Sequence, residues 1–251
     1  MNAPEWIGSN KSLLRFTRVY AVIAVLELIS NVVFERIPLL HYCVKPLIMI
    51  SLGVYFVSQS QRKLNLFSVA ILFAIGFSWL GDVFLMGASS LSFLVGLGSF
   101  LIAQVAYTLA FNQPTDAHAP KRLTRRKPWV LIPFVLYAAG LLWAVKDGAD
   151  MLFGPIVVYA LVIMLMALSA LNRWKRVLSQ SFAMVFLGAM LFMLSDSLIA
   201  LSRFGGELTI PYASLWIMST YMAAQYLIVI GMLKHFNYEA SFDPSEEKMG
   251  F

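Results

Sequence analysis

Long runs of apolar residues alternate with short polar segments along almost the whole chain. Eight such runs can be delimited, at residues 16–34, 43–58, 66–86, 90–111, 129–145, 152–171, 182–202 and 212–233. A helix of about 20 apolar residues crosses the hydrocarbon core of a bilayer, whereas the strands of a membrane β-barrel alternate apolar and polar residues. The pattern therefore predicts an all-α polytopic membrane protein with eight transmembrane helices. We expect residues 1–251 to form a single integral membrane domain with a polar cytoplasmic tail over about residues 236–251.

Positive charge is concentrated on one side of the predicted spans. Fifteen of the 19 Lys and Arg residues fall on the side of the amino terminus. These are Lys11, Arg15, Arg18, Arg62, Lys63, Lys121, Arg122, Arg125, Arg126, Lys127, Arg173, Lys175, Arg176, Lys234 and Lys248. The remaining four are Arg36, Lys45, Lys146 and Arg203. Because the cytoplasmic loops of membrane proteins are enriched in Lys and Arg, both termini are predicted to be cytoplasmic, which agrees with an even number of spans.

The composition agrees with a membrane protein. The chain is 60% hydrophobic and 13% charged, with a mean hydropathy of +0.76, whereas soluble domains carry about 25% charged residues. A net charge of +6 would favour nucleic-acid binding in a soluble protein. Membrane topology explains the basic residues better, so no nucleic-acid partner is expected. The single Cys43 excludes an internal disulfide, and the first apolar run is too long for a signal peptide and is expected to remain as a helix.

The two halves of the chain carry similar residue pairs. The third and fourth spans contain Gly81-Asp82 and Ala103-Gln104, and the seventh and eighth spans contain Ser195-Asp196 and Ala224-Gln225. The proline-containing loop between the fourth and fifth spans is the longest connection and lies between these halves. A parallel 4+4 duplication would produce this arrangement, as it does in some transporters. Since only two residues match in each helix, a chance similarity is the alternative.

Two aspartates lie inside predicted spans, Asp82 in the third and Asp196 in the seventh. A charged Asp near the centre of a bilayer costs at least about 2.5–3.5 kcal/mol, so such residues face a protein interior or a wet cavity and are commonly functional. Glu27 in the first span and Lys45 at the start of the second are predicted to share one layer with them in the outer half of the membrane. The structural alternative is a set of buried salt bridges, in which Lys45 or Arg203 pairs with an aspartate, or Glu27 pairs with Lys45.

Five uncharged polar residues form a second group within the spans. Gln104 and Tyr107 are three residues apart in the fourth span, and Tyr221 and Gln225 are four residues apart in the eighth, so each pair lies on one helix face. Tyr159 lies deeper, in the sixth span. The two glutamines could instead be interhelical hydrogen-bonding residues worth about 0.6 kcal/mol each. Tyr107 and Tyr221 could instead belong to the interfacial belt.

Several common catalytic motifs are absent from the sequence. The three histidines, His41, His118 and His235, fall outside the predicted spans, which argues against a histidine base or a metal cluster in the membrane. The sequence contains no Gly-x-Ser-x-Gly elbow, no His-Glu-x-x-His and no phosphate-binding loop. An enzyme built on the spans would therefore use carboxyl groups as acid and base, one protonated and one ionised. No metal or other cofactor is expected.

An ordered set of short motifs extends through most of the chain. They are Lys45-Pro46, Gly81-Asp82-x-Phe84-Leu85, Gly96-x-Gly98-x-Phe100-x-x-Ala103-Gln104-x-x-Tyr107, Ser195-Asp196-Ser197-x-Ile199-Ala200 and Tyr221-x-x-Ala224-Gln225-x-Leu227-Ile228. In order and spacing these motifs resemble the YhhN family of eight-span membrane proteins, which includes the lysoplasmalogenases. The resemblance covers about residues 20–233. Animal members tend to have His where this chain has Gln104, so hydrogen bonding rather than proton transfer is expected at that position.

The resemblance implies hydrolysis of the vinyl ether bond of a lysophospholipid, a lysoplasmalogen, to a fatty aldehyde and glycerophosphocholine or glycerophosphoethanolamine. Protonation of a vinyl ether at its β-carbon gives an oxocarbenium ion that water captures, so the reaction needs a carboxylic acid and a nearby carboxylate. Asp82 and Asp196 are the predicted catalytic pair, and Lys45 is predicted to contact the headgroup phosphate. Glu27 would either support the pair or neutralise Lys45. The residues predicted to position water and substrate are Tyr159, Gln104, Gln225 and Tyr221.

Two other classes of membrane protein also use buried acids. Intramembrane aspartyl proteases pair a Tyr-Asp motif with a Gly-x-Gly-Asp motif. The corresponding positions of this chain are Leu194-Ser195-Asp196 and Leu80-Gly81-Asp82, so neither motif matches well. A proton-coupled transporter of a small amphipathic molecule is the stronger alternative, although only Pro155 lies clearly within a predicted span. The short loops and the charge pattern are typical of a bacterial inner-membrane protein, whose partners would be the lipid substrate and the bilayer.

Overall fold

The computed structural model describes residues 9–33, 37–60, 66–113, 119–206 and 209–240, and all regular structure within these ranges is helical. The long helices are α1 Ser9–Val32, α2 Pro38–Gln59, α3 Leu66–Leu85, α4 Ser90–Phe111, α6 Ile132–Ala149, α7 Phe153–Leu171, α8 Ser179–Phe204 and α9 Ala213–Ala240, and α5 is one short turn, Leu123–Arg126. The predicted all-helical architecture is therefore confirmed for the part of the chain that the structure describes.

Six helical stretches in the described ranges are long and apolar enough to cross a membrane. One of them, Pro128–Leu171, contains both α6 and α7. The chain changes direction between these two helices at Asp150, whose φ of 43° lies in the left-handed region, and the helices pack against each other. Helix α1, which carries three basic residues and one glutamate, is not among the six. The chain is thus built as a helical membrane protein, while the count of eight crossings and the 4+4 duplication stay predictions.

Several helix boundaries differ from the predicted spans, most of all the starts of α1 and α2 and the end of α9. Helix α2 begins at Pro38 rather than at residue 43, because proline is favoured in a first helical turn, where its missing N–H has no intrahelical partner. Helix α9 continues to Ala240 rather than ending at residue 233, so the predicted polar tail is helical at its start, and Phe236 is buried. Pro46 lies inside α2. The expectation that only Pro155 lies clearly within a span is therefore wrong.

Glycines allow close approach in two helix pairs, α3 with α4 and α8 with α9. A Cβ atom at Gly81 would lie 2.6 Å from the Phe100 ring of α4. A Cβ atom at Gly188 of α8 would lie 2.9 Å from the backbone oxygen of Ala224 in α9. Small residues allow such contacts in membranes, where close packing rather than a hydrophobic force holds helices together.

Apolar side chains occupy both the interior and the outer surface of the helix assembly. Phe56, Phe192 and Met166 are fully buried. Val54 and Leu136 are equally apolar but are 65% and 67% exposed. A surface of this kind suits hydrocarbon rather than water. The polar side chains described below are therefore exceptions in an otherwise apolar interior.

Candidate active site

Asp82 lies near the end of α3 and is almost fully buried, with 2% of its surface exposed. Its Oδ2 atom accepts a hydrogen bond of 2.7 Å from the Tyr221 hydroxyl of α9. One turn earlier on the same face of α3, the Ser78 hydroxyl oxygen accepts a bond of 3.0 Å from Gln225 Nε2, also of α9. Two side-chain hydrogen bonds thus join α3 to α9 and hold Asp82 inside the protein.

Asp196 of α8 is buried among donors from two other helices. Its Oδ2 atom accepts a bond of 2.7 Å from Gln104 Nε2 of α4 and a short bond from the Tyr159 hydroxyl of α7. Gln104 Nε2 also donates to the Tyr159 oxygen at 2.8 Å. Gln104 Oε1 is buried and has no hydrogen-bond partner in the described ranges. Since leaving a buried acceptor unpaired costs about 1–3 kcal/mol, this atom is available to a water molecule or a substrate hydroxyl.

A pocket of about 30 Å³ adjoins Asp196 and Tyr159. Apart from these two residues its lining is apolar and includes Phe93 and Phe204. Such a volume accommodates a water molecule but not a lipid. A water molecule therefore fits beside Asp196, whereas a larger molecule would need another route to the carboxyl groups.

The surroundings of the two aspartates are connected through α4 and α9. The Tyr107 hydroxyl of α4 donates a bond of 2.5 Å to Gln225 Oε1 of α9. The rings of Phe100, Phe192 and Tyr221 meet edge to face, with centroids 5.6–6.2 Å apart. The two aspartates are near enough to interact electrostatically. The structure therefore brings both carboxyl groups into one buried region.

Glu27 is fully buried in α1 and pairs with His41 of α2. Its Oε1 atom lies 3.0 Å from His41 Nδ1. Ser30 and Asn31 each donate a further hydrogen bond of 3.0 Å to the same carboxylate. The alternative in which Glu27 forms a salt bridge with Lys45 is therefore wrong. Glu27 is nevertheless near enough to Asp82 to interact with it electrostatically.

The prediction that no histidine lies within a span is wrong for two of the three residues. His41 falls in the first turns of α2, because this helix starts at Pro38, and His235 falls in the extended α9. His118 lies outside the described residues. Within the described ranges, no three His, Cys, Asp or Glu side chains converge on a possible metal position.

Lys45 is 8% exposed and forms no hydrogen bond or ion pair with a described residue. It is near enough to Asp82 to interact electrostatically. Arg203 is exposed and lies over the Phe93 ring, 5.0 Å from its centroid. In the described part of the chain neither aspartate therefore has the predicted direct salt bridge. Lys45 therefore supplies a positive charge within electrostatic range of Asp82 without forming a direct ion pair with a described residue.

Tyr107 and Tyr221 are core residues, 0% and 3% exposed, so the alternative that they belong to an interfacial belt is wrong. The alternative for Gln104 and Gln225, that they form hydrogen bonds between helices, agrees with the structure. Gln104 in addition donates directly to Asp196. Ser78 was missed from sequence. Its spacing of four residues from Asp82 places it on the same face of α3, but serine is common in membrane helices and gives no distinctive pattern.

The fold and this site define a helical membrane protein with two buried carboxyl groups held by hydrogen-bonding side chains from several helices. The chain belongs to the YhhN family, whose family model matches residues 40–232. The matched region includes α2, α3, α4, α7 and α8 and most of α9, which supply every site residue except Glu27. No solved structure matches the chain.

Proposed function

We propose that this protein is a membrane-embedded hydrolase that cleaves the vinyl ether bond of a lysoplasmalogen. The observation that carries the proposal is the burial of Asp82 and Asp196 in one region, each held by tyrosine or glutamine donors and neither neutralised by a direct salt bridge with a described residue. Membership of the YhhN family, which the sequence resemblance connects with lysoplasmalogenases, supports the same reaction.

The chemistry needs one proton donor, one carboxylate and one water. A carboxylic acid protonates the β-carbon of the vinyl ether, and the positive charge is shared between the α-carbon and the ether oxygen. The neighbouring carboxylate stabilises this cation and takes a proton from the attacking water. The hemiacetal then breaks down. The carboxyl group that took the proton from water protonates the glycerol oxygen, which leaves as an alcohol, while the hemiacetal hydroxyl returns its proton to the original donor and becomes the carbonyl of the fatty aldehyde. Neither a serine nucleophile nor a redox step is required.

Within this proposal Asp196 is the proton donor and Asp82 is the carboxylate. Asp82 has the Lys45 ammonium within electrostatic range, and a nearby cation stabilises a carboxylate. Asp196 has neutral donors at Oδ2, which leaves Oδ1 for the transferable proton, and it adjoins the small pocket. Asp196→Asn removes the acid, so its residual activity should no longer decline at high pH. Asp82→Asn removes the carboxylate, so its residual activity should no longer decline at low pH.

The remaining site residues are assigned by the atoms they present. Lys45 would bind the headgroup phosphate, because it is a cation near Asp82 that forms no direct ion pair with a described residue. Gln104 Oε1 would accept from the attacking water. Tyr221, Tyr159 and Gln225 would keep the carboxyl groups in place.

We also infer eight crossings, both termini in the cytoplasm and a parallel 4+4 duplication in a bacterial inner membrane. One feature supports the duplication: each aspartate accepts a hydrogen bond from the last helix of the other half of the chain, and Asp196 accepts a second bond from Tyr159 in its own half. Asp82 accepts from Tyr221, and Asp196 accepts from Gln104. Phe100 precedes Gln104 by four residues, as Tyr221 precedes Gln225, and the rings of Phe100 and Tyr221 meet with centroids 5.6 Å apart.

The test is aldehyde release by purified protein in nanodiscs from vinyl ether, alkyl ether and ester lysolipids. We expect turnover of the vinyl ether alone. Asp82→Asn and Asp196→Asn should each lower kcat by at least about 100-fold. Asp147→Asn is the matched control, because this carboxylate is exposed and pairs only with Lys146 among the described residues. Full activity in both buried variants would refute the assignment.

The same purified protein, reconstituted into sealed vesicles instead of nanodiscs, separates an enzyme from the alternative, a proton-coupled transporter. The buried pair Glu27–His41 and the proline inside α2 are features that such a transporter could also use. In sealed vesicles a transporter would accumulate the labelled lysolipid in response to a pH gradient without forming aldehyde. This outcome would replace the hydrolase proposal.

A further inference from the structure

An apolar groove of about 610 Å³ lies between α2 and α3. Its walls include Met49 and Val54 from α2 and Gly76 and Trp79 from α3. Val54 is 65% exposed, so the groove opens sideways toward the hydrocarbon of the bilayer. Its volume falls within the range of about 300–1,000 Å³ that is typical of small-molecule sites.

One end of this groove lies beside the candidate active site. Lys45 precedes Met49 by four residues on α2, and Asp82 follows Trp79 by three residues on α3. Residues at these spacings share a helix face. The groove extends along α2 from Met49 to the neighbourhood of Val57, which is about 12 Å at 1.5 Å per residue. A molecule lying in the groove would thus have one end within about one helical turn of Lys45 and Asp82.

One buried polar atom at this end lacks a partner, and one cation there forms no direct ion pair with a described residue. The Trp79 indole Nε1 is buried and has no hydrogen-bond acceptor in the described ranges. Lys45 is buried without a hydrogen bond or ion pair to a described residue. An unpaired buried donor such as Trp79 Nε1 is costly, and an oxygen atom of a ligand would satisfy it, while the Lys45 cation would attract an anionic group. The groove between α1 and α9, of about 500 Å³, has no such unpaired donor among its lining residues.

We propose that the α2–α3 groove binds the single hydrocarbon tail of a lysolipid, whose polar end then reaches Trp79, Lys45 and Asp82. The apolar walls match the tail, and the unpaired donors match the oxygen-rich glycerol and phosphate. This inference rests on the proposed lysoplasmalogen hydrolysis. It identifies the lateral route that the small pocket beside Asp196 cannot provide.

Gly76 offers a way to fill the groove without disturbing the helices. A Cβ atom added at Gly76 meets no atom within 4 Å. Leucine at this position would therefore project into the groove itself. Gly140 of α6 is the matched control, because an added Cβ there also meets nothing within 4 Å and the residue lines no part of the groove.

The kinetic test compares the wild type, Gly76→Leu and Gly140→Leu on vinyl ether lysolipids with tails of about four and about sixteen carbons. For the long tail, Gly76→Leu should raise KM by about tenfold or more and leave kcat within about twofold, because it obstructs binding without touching the reacting atoms. For the short tail both parameters should stay within about twofold of the wild type. Gly140→Leu should match the wild type on both. An unchanged long-tail KM in Gly76→Leu, or equal losses for both tails, would overturn the inference.

A second measurement does not depend on hydrolysis. An alkyl ether lysolipid, which lacks the vinyl bond, carries a photoreactive diazirine in its tail and is irradiated with the wild-type protein in nanodiscs. We expect labelled peptides from residues 49–57 and 72–79, protected by excess lysolipid but not by diacyl phospholipid. Labelling in the α1–α9 groove, or labelling that diacyl lipid removes equally well, would contradict the inference. If the wild type releases no aldehyde, the proposed reaction fails, and the labelling pattern still decides whether the groove binds a lysolipid tail.

Discussion

Replacing Tyr159 by Phe removes one hydroxyl from the network around Asp196 and keeps the aromatic ring. In the wild type this hydroxyl donates to Asp196 Oδ2 and accepts from Gln104 Nε2. The variant keeps the bond from Gln104 to Asp196, so the carboxyl group retains one donor. We therefore expect the protein to fold, with Asp196 held less firmly and with one hydrogen bond fewer to its charged form.

The size of the effect follows from the kind of bond that is lost. Hydrogen bonds to charged groups contribute about 1.5–3 kcal/mol. This bond is stronger when Asp196 is a carboxylate, that is, after it has given its proton away. Removing the hydroxyl therefore raises the free energy of the transition state more than that of the bound substrate. Each 1.36 kcal/mol changes a rate about tenfold, so kcat should fall by about 10- to 150-fold. KM should change little, because Tyr159 does not line the proposed tail groove.

The assay is aldehyde release under saturating lysoplasmalogen, with thermal unfolding of the same preparations measured in parallel. Tyr137→Phe is the matched control. The Tyr137 hydroxyl of α6 donates a bond of 2.8 Å to Ser197, the residue that follows Asp196 in α8. Both variants lose one tyrosine hydroxyl bonded to the same helix, but only Tyr159 contacts the carboxyl group.

Two results would show that this reasoning is wrong. A kcat of Tyr159→Phe within twofold of the wild type would mean that the bond to Asp196 makes no catalytic contribution. Equal losses in Tyr159→Phe and Tyr137→Phe would mean that general packing of α8, rather than the Asp196 network, limits the rate. A double-mutant cycle with Gln104→Leu should give a coupling energy above about 0.5 kcal/mol, since the three side chains share one network.

Three further predictions concern stability and topology. His41→Ala should lower the free energy of unfolding by about 1–3 kcal/mol, because it leaves the buried Glu27 carboxyl group without its His41 partner. Chemical denaturation measures this loss, and adding Glu27→Gln should recover part of it. Gly188→Ala should lower the free energy of unfolding by about 1–3 kcal/mol, because its Cβ would overlap the α9 backbone. Gly140→Ala, whose Cβ meets nothing within 4 Å, should leave it unchanged or raise it by up to about 1 kcal/mol. Green fluorescent protein fused to either terminus should fluoresce, and alkaline phosphatase fused there should be inactive, because both termini are predicted to be cytoplasmic. Active alkaline phosphatase without fluorescence at either terminus would contradict this orientation.

The positions of most helices could be predicted from the sequence. The spans predicted at residues 66–86 and 90–111 correspond to α3 Leu66–Leu85 and α4 Ser90–Phe111. This succeeded because span length and hydropathy are local properties, set by the thickness of the bilayer. The start of α2 was missed, because the residues before position 43 include a histidine and a proline. Proline is nevertheless acceptable in a first helical turn.

The importance of Asp82 and Asp196 could also be read from the chain, because a carboxyl group in an apolar span requires a polar environment inside the protein. The hydrogen-bond partners of these aspartates could not be predicted from the sequence. Glu27 was considered with Lys45 but is bound to His41, and Tyr221, which resembled a belt residue, donates to Asp82. These pairings depend on which helices are neighbours and on how each helix is rotated about its axis.

The sequence alone therefore determined the class of protein, the approximate spans and the few polar side chains on which a site could be built. Only the tertiary structure decided that side chains of α9 reach Asp82 and Ser78 of α3, and that α4 and α7 supply the donors to Asp196. It also placed a groove between α2 and α3 whose end lies about one helical turn from Lys45 and Asp82. The physical reason is that lipid is as apolar as the protein core. In a soluble helix the hydrophobic face shows which side is buried, but in these helices both sides are apolar, and the sequence pattern does not distinguish them.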